Sequence, residues 1–234
     1  MRGWCFLVIK WYIITAVLSV LFSFIIEKTA DCIIKNKRFT VRENLAIKRF
    51  LIILVINIAV WVLCLNRYSL TPQTVIACLF FDIAFCMAIV DLYTKKISTA
   101  FIISLFVLSV AFVLVQKDNP WYSHIFGCGL GFIPLFCIRY FAGIKAKQEA
   151  LGSADVYIGG ISGLFLGFEK FLLAGLTSAL SALIFVEIVK RIKGYDKTHR
   201  YAFSPFLVFG FTLSLLFGDL ILQRYYDLIF SIVL

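Results

Sequence analysis

Long apolar runs separated by short polar stretches make up most of the chain. Eight such runs can be recognised: 5–26, 50–66, 72–91, 97–115, 122–141, 156–168, 171–189 and 203–222. A bilayer core of about 30 Å needs roughly 20 apolar residues of helix to cross it, so each run is a candidate transmembrane helix. The sixth run is short for a full span. The pattern predicts an all-α, polytopic integral membrane protein with about eight transmembrane helices.

The composition agrees with this pattern. Of the 234 residues, 62% are hydrophobic and only 15% are charged, and the mean hydropathy is +0.98. The polar stretches leave no room for a soluble domain, so the chain is predicted to form a single membrane domain over 1–234. Within it, residues 1–66 supply two N-terminal helices joined by a short basic loop, and residues 67–234 supply a core of six helices.

The basic residues predict an orientation in the membrane. Loops 27–49, 92–97, 139–155 and 190–200 together carry 17 of the 23 Lys and Arg residues, and they fall on one side if all eight runs cross. Cytoplasmic loops retain more Lys and Arg than exported ones, so this side is predicted to be cytoplasmic. The net charge of +10 is therefore explained by topology and by the anionic lipid of the bilayer, and no nucleic-acid partner is expected.

Two aspartates stand at the predicted cytoplasmic ends of apolar runs, each in a distinct local motif. Asp91 closes the third run just before a turn with Lys95 and Lys96. Asp155 opens the sixth run at the end of the stretch Gly152-Ser153-Ala154-Asp155. A carboxylate at the edge of an apolar span is costly to place, so two that face one compartment call for a shared role.

Glycines recur every four residues after Asp155. Gly159, Gly163 and Gly167 lie close to one face of a helix with Asp155, because residues four apart share a face. Small residues let a neighbouring backbone approach closely in a membrane. This face is expected to pack on the third helix and to hold Asp155 opposite Asp91.

Together with Pro205 near the start of the eighth run, these motifs resemble the type IV prepilin peptidases, membrane aspartic proteases of the GxGD type. The resemblance extends over about residues 72–210. Three positions depart from the family pattern: Ala154 replaces the second glycine of GxGD, Ser98 a frequent proline, and Tyr157 a frequent lysine. Many bacterial members also carry a cysteine-rich cytoplasmic insert associated with N-methylation. Here residues 27–48 hold Cys32 as their sole cysteine.

The resemblance implies that Asp91 and Asp155 are the catalytic pair of an aspartic endopeptidase. Gly152, Ser153, Ala154, Lys95, Lys96 and Pro205 would shape the site. It further implies cleavage of the basic leader of type IV pilin-like precursors at the cytoplasmic face of the bacterial inner membrane, without N-methyltransferase activity. Glu149 is a local acidic group that could recognise the basic leader.

Peptide hydrolysis by two aspartates needs one carboxylate to deprotonate water and the other, still protonated, to polarise the carbonyl. Asp91 is predicted at a helix C-terminus, where the helix dipole disfavours negative charge, and Asp155 at an N-terminus, where it is favoured. Asp155 is therefore the expected base and Asp91 the expected acid.

The remaining polar residues have simpler interpretations. Asp82 lies inside the third run and is expected to make an interhelical hydrogen bond, and Glu187 is expected to pair with Lys190 or Arg191. The cysteines and the two histidines form no metal-ligand pattern, so neither metal nor cofactor is predicted.

Two other functions fit the composition. A transporter or a secretion or pilus assembly component could use the acidic residues to bind ions or protons. A presenilin-like protease fits less well, since Val90 precedes Asp91 and Phe206-Leu207 follows Pro205 where that family has Tyr-Asp and Pro-Ala-Leu motifs.

Overall fold

The structure is a computed structural model that describes residues 2–36, 43–69, 71–116, 119–146, 152–193 and 202–233. Within these residues the chain forms eight α-helices joined by short connections. Their bounds are α1 Arg2–Asn36, α2 Glu43–Tyr68, α3 Pro72–Thr94, α4 Thr99–Val115, α5 Trp121–Ala146, α6 Ser153–Leu166, α7 Phe168–Lys193 and α8 Ser204–Val233.

Length and hydropathy identify this fold as a membrane fold. In the described part of the chain, five segments are long and apolar enough to cross a bilayer: Lys48–Tyr68, Pro72–Thr94, Trp121–Phe141, Phe168–Ile192 and Ser204–Ser231. The helices α4 and α6 are shorter and also apolar. The prediction of an all-α, polytopic membrane protein with about eight helices is confirmed.

The chain divides into two compact units, Met1–Ile97 and Ser98–Leu234. The first contains α1 to α3 and the second α4 to α8. The division falls after Ile97, because α3 packs with α1 and α2.

Buried polar contacts join the three helices of the first unit. On α2, the Asn57 side-chain amide donates hydrogen bonds to the Ser19 carbonyl oxygen at 3.3 Å and to the Ser23 Oγ at 3.1 Å, both on α1. The Trp61 Nε1–H of α2 donates to Asp82 Oδ1 of α3 at 3.2 Å. The expected interhelical hydrogen bond of Asp82 is thus confirmed, and this carboxyl has a structural role.

Helix α6 lies at the centre of the second unit. Its residues are buried almost all round, because α5, α4, α7 and α8 each pack against it. On the α4 side, the Ser109 Oγ donates to the Ile161 carbonyl oxygen at 3.3 Å and the rings of Phe112 and Phe165 stack 4.0 Å apart. With 14 residues, α6 is only about 21 Å long. Its neighbouring helices rather than lipid provide most of its surroundings.

Four glycines bring the backbones of α5 and α6 into direct contact. A Cβ on Gly163 would overlap the carbonyl oxygen of Gly127, and one on Gly131 would overlap the carbonyl oxygen of Gly159. The two helices are antiparallel, with Gly127 opposite Gly163 and Gly131 opposite Gly159. Each helix contributes a small residue every four positions, which is the spacing that allows close packing in membranes.

This packing corrects two expectations from the sequence. The face of Gly159 and Gly163 packs on α5, so the third helix is not its partner. Gly167 does not continue the glycine face, because α6 ends at Leu166 and Gly167 follows with φ 78°. Only glycine adopts this backbone conformation without strain, and here it ends the helix.

Gly167 is the single residue between α6 and α7, and side chains from α5 satisfy the backbone around it. The Gly167 N–H donates to the Gly163 carbonyl oxygen at 2.9 Å. The Phe168 N–H donates to the Ser123 Oγ at 3.2 Å, and the His124 Nδ1–H donates to the Leu164 carbonyl oxygen at 2.8 Å. Buried backbone groups outside regular helix need hydrogen-bond partners, and Ser123 and His124 supply them here.

Helices α7 and α8 pack antiparallel through another small residue. A Cβ on Gly210 would overlap the Ala174 carbonyl oxygen and the Ser178 Oγ, both on α7. Farther along the pair, the Ser214 Oγ donates to the Lys170 carbonyl oxygen at 2.5 Å. Since α8 also contacts α6, this pairing determines where the start of α8 lies beside the start of α6.

Replacing Gly163 tests the backbone contact between α5 and α6. Gly163→Ala is expected to lower the free energy of unfolding by about 1–3 kcal/mol, because the new methyl group must displace the backbone of α5. Gly175→Ala on α7 is the matched control, since a Cβ there meets no atom within 4 Å. It is expected to stabilise the protein by up to about 1 kcal/mol through helix propensity. Thermal unfolding in detergent measures both, and equal midpoints would contradict the packing described.

Candidate functional site

Asp91 lies in the last turn of α3 and is buried. The helix ends at Thr94, and Lys95 follows in the left-handed conformation with φ 50° and ψ 28°. The Lys95 N–H donates to the Asp91 carbonyl oxygen at 2.8 Å and so closes the helix. Negative charge at this position is disfavoured by the helix dipole, which agrees with the acid role expected for Asp91.

Thr94 makes the turn after Asp91 compact. Its Oγ1 donates to the Val90 carbonyl oxygen at 2.8 Å and lies 3.0 Å from the carbonyl oxygen of Lys96. The Lys96 N–H in turn lies 3.3 Å from the same Oγ1. The side chains of Lys95 and Lys96 are exposed at this end of α3, so they are available to lipid headgroups or to another partner.

An arginine on α2 contacts both α1 and the last turn of α3, which carries Asp91. The Arg49 Nη2–H donates to Glu27 Oε1 at 2.5 Å and also pairs with Asp31, both on α1. The guanidinium carbon lies 5.5 Å from the ring centroid of Tyr93, two residues after Asp91. A guanidinium stacks well on an aromatic ring while it binds carboxylates. Arg49 thereby connects α1, α2 and the last turn of α3.

Asp155 lies in the first turn of α6, three residues after the N-cap Gly152, and is buried. Its Oδ1 accepts a hydrogen bond from the Ser204 Oγ of α8 at 3.2 Å. A Cβ on Gly152 would lie 3.1 Å from its Oδ2, so the carboxylate folds back over the N-cap. The free N–H groups and the dipole of a helix N-terminus favour a negative charge, as the expected base role requires.

The three residues before Asp155 are more exposed than Asp155 itself, and Pro205 lies at the start of α8. Gly152 and Ser153 are exposed and Ala154 is partly exposed, so the motif borders the outer surface of the second unit. Pro205 follows Ser204 in the first turn of α8, where its missing N–H costs no hydrogen bond. It therefore starts the helix that carries Ser204 to Asp155.

Ser204 is the site residue that sequence reasoning missed. It lies directly before Pro205 in the chain and is completely buried. A hydroxyl next to a helix-starting proline is ordinarily an N-terminal capping residue, so the sequence provided no signal for its contact with a residue 49 positions away. His124 and the pair Gly127 and Gly131 were likewise missed, although the spacing of the two glycines is visible in the sequence.

The two aspartates occur in different compact units, Asp91 in the first and Asp155 in the second. Their pairing therefore stays a prediction, as do the site-shaping roles of Lys95, Lys96, Gly152, Ser153, Ala154 and Pro205. Glu149 lies outside the described residues. Among the residues that the structure describes, no three His, Cys, Asp or Glu side chains are grouped so that they could hold a metal ion.

The pairing expected for Glu187 is confirmed. Its carboxylate lies 3.8 Å from the Lys190 Nζ and accepts a hydrogen bond from the Arg191 Nε–H at 3.2 Å. These side chains are about half exposed or more, so the pairs contribute little to stability.

Comparison with known proteins supports the resemblance. Residues 78–186 match the sequence model of the Type IV leader peptidase family. The chain is 21% identical over 159 residues to the prepilin leader peptidase/N-methyltransferase of Bacillus subtilis (strain 168). This alignment covers 68% of the chain and 62% of the relative, less than two thirds of that protein's length. No solved structure matches the chain significantly. The family resemblance is confirmed over a stretch that contains both Asp91 and Asp155.

The two lysines after α3 test the turn beside Asp91. Lys95→Gly is expected to stabilise the protein by about 1 kcal/mol, because glycine adopts φ 50° without a Cβ clash. Lys96→Gly removes the same charge from a residue without positive φ and is expected to destabilise by roughly 0.5 kcal/mol through chain entropy. Thermal midpoints in detergent compare the two. A higher midpoint for Lys96→Gly than for Lys95→Gly would contradict the left-handed turn.

Proposed function

We propose that this chain, whose residues 78–186 match the Type IV leader peptidase family, is a membrane aspartic endopeptidase that removes the basic leader of type IV pilin-like precursors. The observation that carries this proposal is the placement of two buried carboxylates, Asp91 and Asp155, at the ends of apolar helices within the matched region. We place the active site at the cytoplasmic face of a bacterial inner membrane, where the basic loops lie.

In the proposed reaction Asp155 is the base and Asp91 the acid. Asp155 takes a proton from a water molecule, and the water oxygen attacks the carbonyl carbon of the scissile peptide. Asp91 gives its proton to the carbonyl oxygen, which becomes the hydroxyl of a tetrahedral intermediate. The carbon–nitrogen bond then breaks, the departing amine takes the proton held by Asp155, and the hydroxyl returns its proton to Asp91 as the new carboxyl group forms.

The environment of each carboxyl supports this division of roles. The Ser204 hydroxyl donates to the carboxylate of Asp155, and a donor of this kind stabilises the ionised form. Asp155 also lies at the positive end of α6, whereas Asp91 lies at the negative end of α3. Two close aspartates that share one proton divide the acid and base roles in this way.

The substrate follows from the membrane setting and from the relative's function. A pilin-like precursor carries a basic leader before an apolar helix, and that helix can enter the bilayer beside the peptidase. The Bacillus subtilis relative is described as both a prepilin leader peptidase and an N-methyltransferase. We propose the peptidase activity alone for this chain, because residues 27–48, which run from the end of α1 to the start of α2, hold one cysteine and have no CxxC pairs.

A cleavage assay with purified protein and a pilin-type precursor tests the proposal. Asp91→Ala and Asp155→Ala are each expected to reduce cleavage by a factor of about 10³ or more, because each removes one half of the acid–base pair. Asp82→Asn is the matched control: it neutralises the third buried carboxyl of this region, and its amide oxygen can still accept from Trp61. It is expected to retain cleavage.

Two results of this assay would reject the proposal. Cleavage that persists in Asp155→Ala would show that another group activates the water. Failure of the folded wild-type protein to cleave any precursor with a basic leader and an apolar helix would favour a transporter or an assembly component instead.

Ser204→Ala tests the support of Asp155. Loss of one hydrogen bond to an ionised carboxylate is expected to lower kcat by roughly 10-fold. KM is expected to stay unchanged, because Ser204 contacts the proposed base rather than the substrate. Ser181→Ala on α7 is the control, since its hydroxyl donates to the Ser178 carbonyl oxygen within the same helix. Equal kcat values for the two variants would remove Ser204 from the site.

A further inference from the structure

A second polar region lies in the second unit at the end of α6 opposite Asp155. A cavity of about 470 Å³ opens there between the starts of α5 and α7 and the middle of α8. Its polar lining consists of Asn119, Ser123, Glu169, Lys170 and Asp219. Leu166, which also lines it, is 11 residues after Asp155, so the cavity is about 16 Å along the helix from the proposed catalytic end.

Charges of both signs line this cavity. The Lys170 Nζ lies 2.9 Å from Asp219 Oδ2, and the Lys170 side chain is only 12% exposed. Its aliphatic stem passes over Gly218, where an added Cβ would lie 3.4 Å from the Lys170 Cγ. Glu169 lines the same space. One ammonium group and two carboxylates therefore line one space at an apolar surface, where an uncompensated charge is costly.

The rim of the cavity is aromatic and faces outward. Tyr122, Phe126 and Phe168 line it and are exposed, and the neighbouring Trp121 is exposed as well. Trp and Tyr gather at the level of lipid headgroups because their rings are apolar and their N–H and O–H groups are polar. The cavity thus lies at a level where a headgroup can enter it while the acyl chains remain against Phe126 and Phe168.

We propose that this cavity binds the headgroup of a zwitterionic phospholipid that carries a phosphate and a primary ammonium group. The phosphate lies towards Lys170 and the Ser123 hydroxyl, and the ammonium lies towards Glu169 and Asp219. The volume falls within the range of small-molecule sites, about 300–1,000 Å³. Two carboxylates beside one lysine disfavour a headgroup with net negative charge, and the apolar rim favours an intact lipid over a free phosphate ester.

Lipid binding in detergent tests the proposal without reference to peptidase activity, so its outcome is independent of the cleavage assay. The purified full chain is titrated with phosphatidylethanolamine, with phosphatidylglycerol of the same acyl chains, and with soluble phosphoethanolamine. Bound lipid is counted by native mass spectrometry and stabilisation by thermal unfolding. Phosphatidylethanolamine is expected to bind at least about tenfold more tightly than either other compound.

Lys170→Met keeps a similar aliphatic stem and removes the ammonium group. It is expected to weaken phosphatidylethanolamine binding roughly tenfold or more, the effect of one lost charge-assisted hydrogen bond. Lys190→Met is the matched control, because Lys190 is on the same helix and pairs with Glu187 on an exposed surface far from the cavity. It is expected to bind the lipid as the wild type does.

Glu169→Gln keeps the Lys170–Asp219 pair, so it serves if Lys170→Met does not fold. It is expected to reduce the preference for phosphatidylethanolamine over phosphatidylglycerol at least several-fold. Three results would overturn the proposal: equal binding of the two lipids by the wild type, equal binding of soluble phosphoethanolamine, or an unchanged lipid preference in folded variants of both Lys170 and Glu169.

Discussion

Backbone contact between α5 and α6 is the constraint on which the second unit depends. Apolar side chains gain little by leaving lipid for each other, so helices in a bilayer associate through close packing and hydrogen bonds. Gly127 and Gly131 on α5 and Gly159 and Gly163 on α6 remove the side chains that would separate the two backbones. A short helix surrounded mostly by other helices needs such neighbours, and α6 is both short and largely buried. The position of Asp155 at its start, and of the charged cavity beyond its other end, follows from this packing.

The two ends of α6 are stabilised by different chemistry. At its start the carboxylate of Asp155 folds over the N-cap and accepts from Ser204, so the positive end of the helix carries its own counter-charge. At its end Gly167 turns the chain, and Ser123 and His124 satisfy the backbone. The Asp155 carboxylate at one end and the backbone groups beside Gly167 at the other are thus hydrogen-bonded within the unit. Between them lie mainly apolar side chains and glycines, which is why one helix can separate a proposed catalytic end from a proposed lipid-binding end.

Much of the fold could be predicted from the sequence, because a membrane span requires a long apolar run and each of the eight runs became a helix. The hydrogen bond of Asp82 and the ion pairs of Glu187 also followed from residue type and spacing. The partner of the glycine face could not be predicted, since a four-residue spacing defines a face but not the helix that packs on it. Gly167 was assigned to that face because periodicity alone does not reveal where a helix ends. Ser204 was missed because its contact with Asp155 depends on how α6, α7 and α8 pack together.

The one-residue connection at Gly167 has a consequence for how the chain enters the membrane. At about 21 Å, α6 is too short to cross a hydrocarbon core of about 30 Å by itself, whereas α7, with 26 residues, is long enough. With one residue between them, the two helices are expected to insert together as a helical hairpin. The far ends of a hairpin stay on one side of the bilayer, so the side that retains Lys190 and Arg191 at the end of α7 also retains Asp155. Cations 35 residues away along the chain are thereby expected to set the compartment that the proposed catalytic base faces.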